Sequence, residues 1–130
     1  MNILNDVMPS RTMSVISASV PNGQQATCWI ALANGYAYAV NAATGAISGY
    51  HIDAAGRLRL RDPDGVTAEA GGGAIDAATT ADGRYLYVQN GATATIHIYR
   101  IGDDGSLTDL GVVGGLPRFG GHSGEGIVAL

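Results

Sequence analysis

Asp82-Gly83-Arg84-Tyr85-Leu86-Tyr87-Val88-Gln89-Asn90 is followed by Thr95-Ile96-His97-Ile98-Tyr99-Arg100-Ile101 and then by Asp103-Asp104-Gly105-Ser106-Leu107. Both longer runs alternate with period two and are rich in β-branched and aromatic residues. Glycine-containing turns bound them. This pattern reads as a hairpin followed by a return strand.

The same pattern lies 49 positions upstream. Tyr36 matches Tyr85, Tyr38 matches Tyr87, Asn41 matches Asn90, Ile47 matches Ile96, Tyr50 matches Tyr99, Gly56 matches Gly105 and Leu58 matches Leu107. All six tyrosines fall into three such pairs, with no gap between Tyr36 and Leu58. Self-similarity at this spacing marks an array of units, each too thin to bury its own apolar faces.

Working outward, Thr27 to Leu32 is a short apolar run, expected as a strand buried on both faces. Asn34-Gly35 then gives a two-residue hairpin signal, because both residues tolerate positive φ. Tyr36–Asn41, Ala46–Ile52 and Arg57–Arg61 complete the first unit, and Asp62-Pro63-Asp64-Gly65 ends it by turn chemistry. Ala74–Thr79, Tyr85–Gln89, Thr95–Ile101 and Leu107–Val113 make the second, with Asp82-Gly83 as the expected matching hairpin. Ser14–Val20 reads as the last strand of a preceding unit, and Gly126–Leu130 as the first strand of a following one. No helix is expected. The fold class is therefore all-β: a partial β-propeller of about two four-stranded antiparallel blades plus flanking strands. The division is an irregular segment 1–13, then a partial propeller over 14–130. Within it, 26–65 and 73–115 are blades, 14–20 ends one blade and 126–130 starts another.

Composition excludes several function classes. Charged residues are 14%, hydrophobic residues 46% and glycines number 20, which suits many tight turns between buried strands rather than a disordered chain. A net charge of −4 gives no basic footprint for nucleic acid. Arg57, Arg59 and Arg61 alternate on one strand face and read as a solvated outer surface. No apolar run approaches about 18 residues, so no membrane-spanning helix is expected. The start lacks a basic region, so no signal peptide is expected and the default compartment is the cytoplasm. The lone Cys28 makes no internal disulfide.

Asp82-Gly83-Arg84-Tyr85-Leu86-Tyr87-Val88, Thr95 to Ile101 and Gly105-Ser106-Leu107 resemble blades of the seven-bladed lactonase-type propellers. That family includes 6-phosphogluconolactonase and carboxymuconate cyclases. Cys28-Trp29-Ile30 before Asn34-Gly35 is similar to a late blade. The resemblance covers roughly residues 14–130 and is to the C-terminal third of such a protein. It implies hydrolysis of a sugar lactone such as 6-phosphogluconolactone by a carboxylic ester hydrolase. The family's frequent His-Pro pair at the head of inner strands is missing: Ala26-Thr27-Cys28 and Gly73-Ala74-Ile75-Asp76 stand there. No catalytic residue carries over by motif.

Lactone opening needs a general base for water and donors for the oxyanion. In a propeller such groups lie where innermost strands meet the channel. Asp76, Glu125 and His122 are the catalytic candidates, and Cys28 and Ser123 the ligand-binding ones. Each has a plainer reading: Asp76 as a turn or channel aspartate, Cys28 as a small buried hydrophobe, and residues 121–125 as a connector. Gly121-His122-Ser123-Gly124-Glu125 approaches G-x-S-x-G but lacks its last glycine and its helix. His51 and His97 have no carboxylate at a ligand spacing, so neither metal nor cofactor is expected. The expected partners are a small lactone or sugar, with neither nucleic acid nor membrane. The alternative function is a non-catalytic propeller piece that binds a ligand or self-associates through open edges at 14–20 and 126–130.

Overall fold

The structure is a computed structural model and describes residues 12–130. The first sheet contains β1 (Thr27–Ala33), β2 (Tyr36–Asn41), β3 (Ala46–Ile52) and β4 (Leu58–Leu60), antiparallel in chain order. A short β5 (Ala68–Glu69) pairs with the other end of β3. The second sheet is β6 (Ala74–Thr79), β7 (Tyr85–Asn90), β8 (Thr95–Ile101) and β9 (Leu107–Val113), in the same order. A small hairpin, β10 (Arg118–Phe119) with β11 (His122–Ser123), follows. The structure is thus all-β among the described residues, two antiparallel sheets of a partial propeller.

Period-two alternation puts Tyr36, Tyr38 and Val40 on one face of β2 and Ala37 and Ala39 on the other. The first set faces the second sheet. Tyr38, Val40 and Ile47 pack there with Ala77, Leu86, Val88 and Tyr99, so the main core lies between the sheets. Tyr38 is wholly buried and donates its hydroxyl to the Gly105 carbonyl at 3.1 Å. Tyr99 donates to the Glu69 carbonyl. Burial, with Tyr36 adding to it, pushes the Tyr38 hydroxyl up to about 12, so it remains a donor. The tyrosines are therefore sheet-to-sheet packing with polar tips, as expected from their fixed places.

Several expectations are corrected. Ser14–Val20 and Gly126–Leu130 form no strand. The former lies along the first sheet: Ser17 Oγ accepts the Leu58 N–H at 3.0 Å, and Tyr50 donates to the Val20 carbonyl at 3.0 Å. Neither segment has a ladder partner, and a strand needs one to satisfy its backbone groups. Arg61 is not on a solvated face. It holds Asp62 at 2.8 Å and reaches across to Asp104 at 3.4 Å, tying the sheets together. The first sheet's outer strand is split into β4 and β5, because Asp62–Gly65 turns away from β3 between them. The hairpins also differ. Ala33 pairs with Tyr36 around Asn34-Gly35, both at positive φ, whereas the second sheet opens a longer loop in which the Thr80 N–H reaches the Tyr85 carbonyl.

Candidate site at the heads of the first strands

The first strands of the two sheets lie side by side. Thr79 Oγ1 donates to the Leu32 carbonyl at 2.7 Å, and Cys28 Sγ stands 3.7 Å from the Ala74 carbonyl. Each strand is bulged at its head, β1 between Thr27 and Trp29 and β6 between Ala74 and Asp76. A bulge adds one unpaired residue and re-aims its neighbours. Cys28 and Ile75 are those extra residues, and the re-aimed side chain in β6 is Asp76.

Asp76 is almost wholly buried. Its Oδ1 accepts the Ala77 N–H at 2.8 Å. Its Oδ2 accepts the Gly126 N–H at 2.8 Å and the Ile127 N–H at 3.1 Å. The carboxylate therefore seats the C-terminal segment on β6, where charge-assisted bonds to backbone N–H stabilise a buried anion. Gln89, opposite Asp76 in the ladder, adds a bond from its amide to the Gly124 carbonyl. The Ser123 N–H reaches the Gly91 carbonyl at 2.9 Å.

Cys28 is exposed, against the expectation of a core residue. Its sulfur is nonetheless drawn against protein. Burial pushes the thiol above its ordinary value; the Ala42 backbone pulls the other way, and the charges of Glu125 and Asp76 add to the rise. A thiol so placed stays protonated and is a poor nucleophile at neutral pH. Cys28, against the Ala74 carbonyl, and Asp76 stand at the bulged heads of the paired first strands, and the Asp76 bonds to Gly126 and Ile127 bring the segment that carries Glu125 to the same end.

Glu125 is exposed and Ser123 is buried, and both line a cleft of about 300 Å³ with Gln89, Ile96 and Phe119. His122 lies in β11 opposite Phe119. Of the predicted residues, the fold thus brings Glu125 and Ser123 to an open cleft, keeps Asp76 beneath the C-terminal segment, and leaves Cys28 beside them. Gln89 is the residue that sequence reasoning passed over. Its signal was a polar amide at the position where the first sheet has Val40.

Among the described residues, no three of His, Cys, Asp and Glu converge as metal ligands. His97 does find a carboxylate: its Nε2 stands 2.9 Å from Asp109 Oδ2 on the neighbouring strand. Spacing along the chain hid this pair, because the two residues meet only through the β8–β9 ladder.

Comparison with known proteins bears on the whole arrangement. The family model described as "Lactonase, 7-bladed beta-propeller" matches residues 9–122. No curated protein matches. Among solved structures, a "putative 6-phosphogluconolactonase" from Bacteroides fragilis is similar at 24% identity and TM-score 0.59, covering 65% of this chain and 24% of that one. A functionally unknown protein from Desulfotomaculum acetoxidans is similar at 15% identity and TM-score 0.61, covering 72% of this chain and 29% of that one. At such identities the likeness is one of fold. The chain spans about a quarter of the length of these structures.

Proposed function

The chain belongs to the lactonase family of seven-bladed β-propellers, and on that premise we propose that it takes a sugar lactone, of the 6-phosphogluconolactone kind, into the cleft beside Glu125 and opens it with water. The observation that carries this reading is the placement of an exposed carboxylate, Glu125, on a cleft that also holds the Gln89 amide and Ser123. In the reaction, Glu125 takes a proton from water, and the water oxygen bonds to the lactone carbonyl carbon. The ring carbon–oxygen bond then breaks, and the proton passes to the released alkoxide to give the open hydroxy acid. Asp76 is a positioning residue here, since it holds the segment that carries Glu125.

The test is the rate of opening of glucono-δ-lactone and of its 6-phosphate against the buffer rate. Glu125→Gln should lower the protein-dependent rate by about 10²-fold, at the low end for loss of a general base. An unchanged rate in that variant, or no rate above buffer, overturns the reading.

A second reading is favoured by the state of Asp76. Its carboxylate is buried and committed to backbone N–H groups, and the chain holds about a quarter of a related propeller. On this reading it is a non-catalytic, ligand-binding piece. Saturable thermal stabilisation by the lactone, without turnover, distinguishes it.

A further inference from the structure

The β3–β4 hairpin carries a group of polar residues that the proposed reaction does not use. His51 pairs with Arg59, and two places on the Asp53 N–H bonds the Arg57 carbonyl at 3.0 Å. Period-two alternation puts these four side chains on one face. With Leu58 they line a cleft of about 300 Å³. His51 also pairs with Tyr36, beside the β1–β2 turn, so the cleft lies at the opposite end of the first sheet from the bulged head of β1. Its face is the one turned toward the second sheet. Tyr36 packs there against the core between the sheets, and Arg61, two residues beyond Arg59, reaches Asp104.

The cleft is basic. Arg57 and Arg59 are exposed, and among the described residues neither forms an ion pair. Asp53 commits its Oδ1 to the Ala55 and Arg57 N–H groups at 2.9 and 2.8 Å, bracing the turn that presents Arg57. Asp104, across on the second sheet, is held by Arg61 and by the Ser106 N–H. His51 is half-buried, with its ring edge-on to Tyr36 at 5.4 Å. Its Nδ1 is buried without a partner among the described residues, so Nε2 is the nitrogen left to meet a ligand.

Blade packing does not call for this set. The second sheet has the same strand order, yet 49 positions on it carries Arg100, Gly102, Ser106 and Thr108 in place of His51, Asp53, Arg57 and Arg59. The tyrosines that pack the sheets recur in both units, whereas the His51, Arg57 and Arg59 combination belongs to the first unit alone.

We propose that His51, Arg57 and Arg59 form a site for the phosphoryl group of a small molecule. Two guanidinium groups and an imidazole N–H supply charge and donors for the oxygens of a dianion, and the planar fork of arginine matches phosphate geometry. A cleft of this size also admits the small body that carries the phosphate. The site shares no residue with the cleft beside Glu125, and it does not rest on the lactone reading.

The test follows the His51 imidazole by proton–nitrogen NMR while inorganic phosphate, glucose 6-phosphate or glucose is added at constant pH and ionic strength. The signal is assigned by its loss in His51→Gln. Both phosphates should move it saturably, half-way at about millimolar concentration, while glucose leaves it in place. Arg59→Gln should weaken the binding about tenfold, as for one lost charge-assisted contact. Arg57→Gln together with Arg59→Gln should abolish it, with the urea midpoint little changed because both side chains are exposed. Arg84→Gln removes an exposed guanidinium on the second sheet and should leave the binding as it is. An equal loss in Arg84→Gln, or a shift that never saturates, would be general charge screening and overturns the proposal. Tighter binding of glucose 6-phosphate identifies a phosphate monoester as the ligand, and equal binding identifies free phosphate; either upholds the site. Lactone opening enters none of these readouts, so this proposal and the lactone reading fail separately.

Discussion

The two sheets place matching residues in matching registers, yet their fates differ. Tyr38 pairs with Gly49 and Tyr87 with Ile98, on corresponding strands of each sheet. Tyr38 is wholly buried and its hydroxyl is bonded; Tyr87 is half-buried on an open face. Asn41 donates to the Ala46 carbonyl and Ser48 Oγ and accepts from Thr27 and Asn22. Asn90, at the matching place, reaches Thr95 at 3.5 Å, and its Oδ1 is buried without a partner among the described residues. A blade fixes where a side chain points, but its neighbours decide whether that side chain is buried and satisfied.

The largest test of this comparison is the tyrosine pair. Tyr38→Ala opens a cavity between the sheets and leaves the Gly105 carbonyl without its donor. It should cost about 3–5 kcal/mol, the range for large aromatic truncations in cores. Tyr87→Ala removes a side chain already partly in water and should cost about 1 kcal/mol or less. Urea unfolding of the two variants measures both. Equal costs would mean that the outer face is as well packed as the interior one.

The same contrast explains what was legible in the residues. Alternation and turn chemistry are local, and they place Ala46–Ile52, Ala74–Thr79, Thr95–Ile101 and Leu107–Val113 at the bounds the structure has. They fail where a partner at long range decides. Val15 and Ile16 have the residue types of a strand but meet no ladder, and Ile127 and Val128 likewise. Thr27–Leu32 reads as buried on both faces, yet Ile30 and Leu32 lie exposed, because among the described residues Val20 packs over Ala37, Ala39 and Tyr50 on that side and leaves those two uncovered. Of the candidate residues, Cys28 and Asp76 stand at the bulged heads of the two first strands, and Glu125 precedes the Gly126 N–H that bonds Asp76. The role of Asp76 was not legible. Its partners, the Gly126 and Ile127 N–H groups, are backbone atoms about 50 positions away, and a sequence gives them no signature.

A sharper test uses two glycines. Gly56 and Gly105 hold nearly the same positive φ, so alanine pays a similar backbone cost at both, about 1–2 kcal/mol. Their surroundings differ. A Cβ at Gly105 would lie 2.4 Å from Cε1 of the Tyr36 ring, which is held between the sheets. A Cβ at Gly56 would lie 3.2 Å from Cδ1 of Ile16, the far end of a flexible and half-exposed side chain. Gly105→Ala should therefore be the worse of the two by about 1–3 kcal/mol, the cost of overpacking. Thermal or urea midpoints of the two variants check this, and equal midpoints would show that the Tyr36 ring moves aside freely.

The smallest effect distinguishes the sheets by pH. In the second sheet His97 and Asp109 stand 2.9 Å apart, whereas Ser48 and Leu60 occupy the matching places in the first. The His97 side chain, and then the Gly111 N–H, hold the Asp109 carboxyl below its ordinary value. A carboxyl depressed in the folded state contributes stability that is present above its unfolded value, about 3.9, and lost as pH falls through the lower folded one. The contribution is modest because Asp109 is exposed and water screens the pair. Asp109→Asn should therefore leave the urea midpoint nearly unchanged near pH 3 and lower it slightly at pH 6, so that the acid limb of stability flattens. Hydrogen exchange should localise the loss to the β8–β9 ladder, with no matching change along β3 and β4. A variant whose acid limb stays as steep as the parent's would show that the pair adds nothing to the fold.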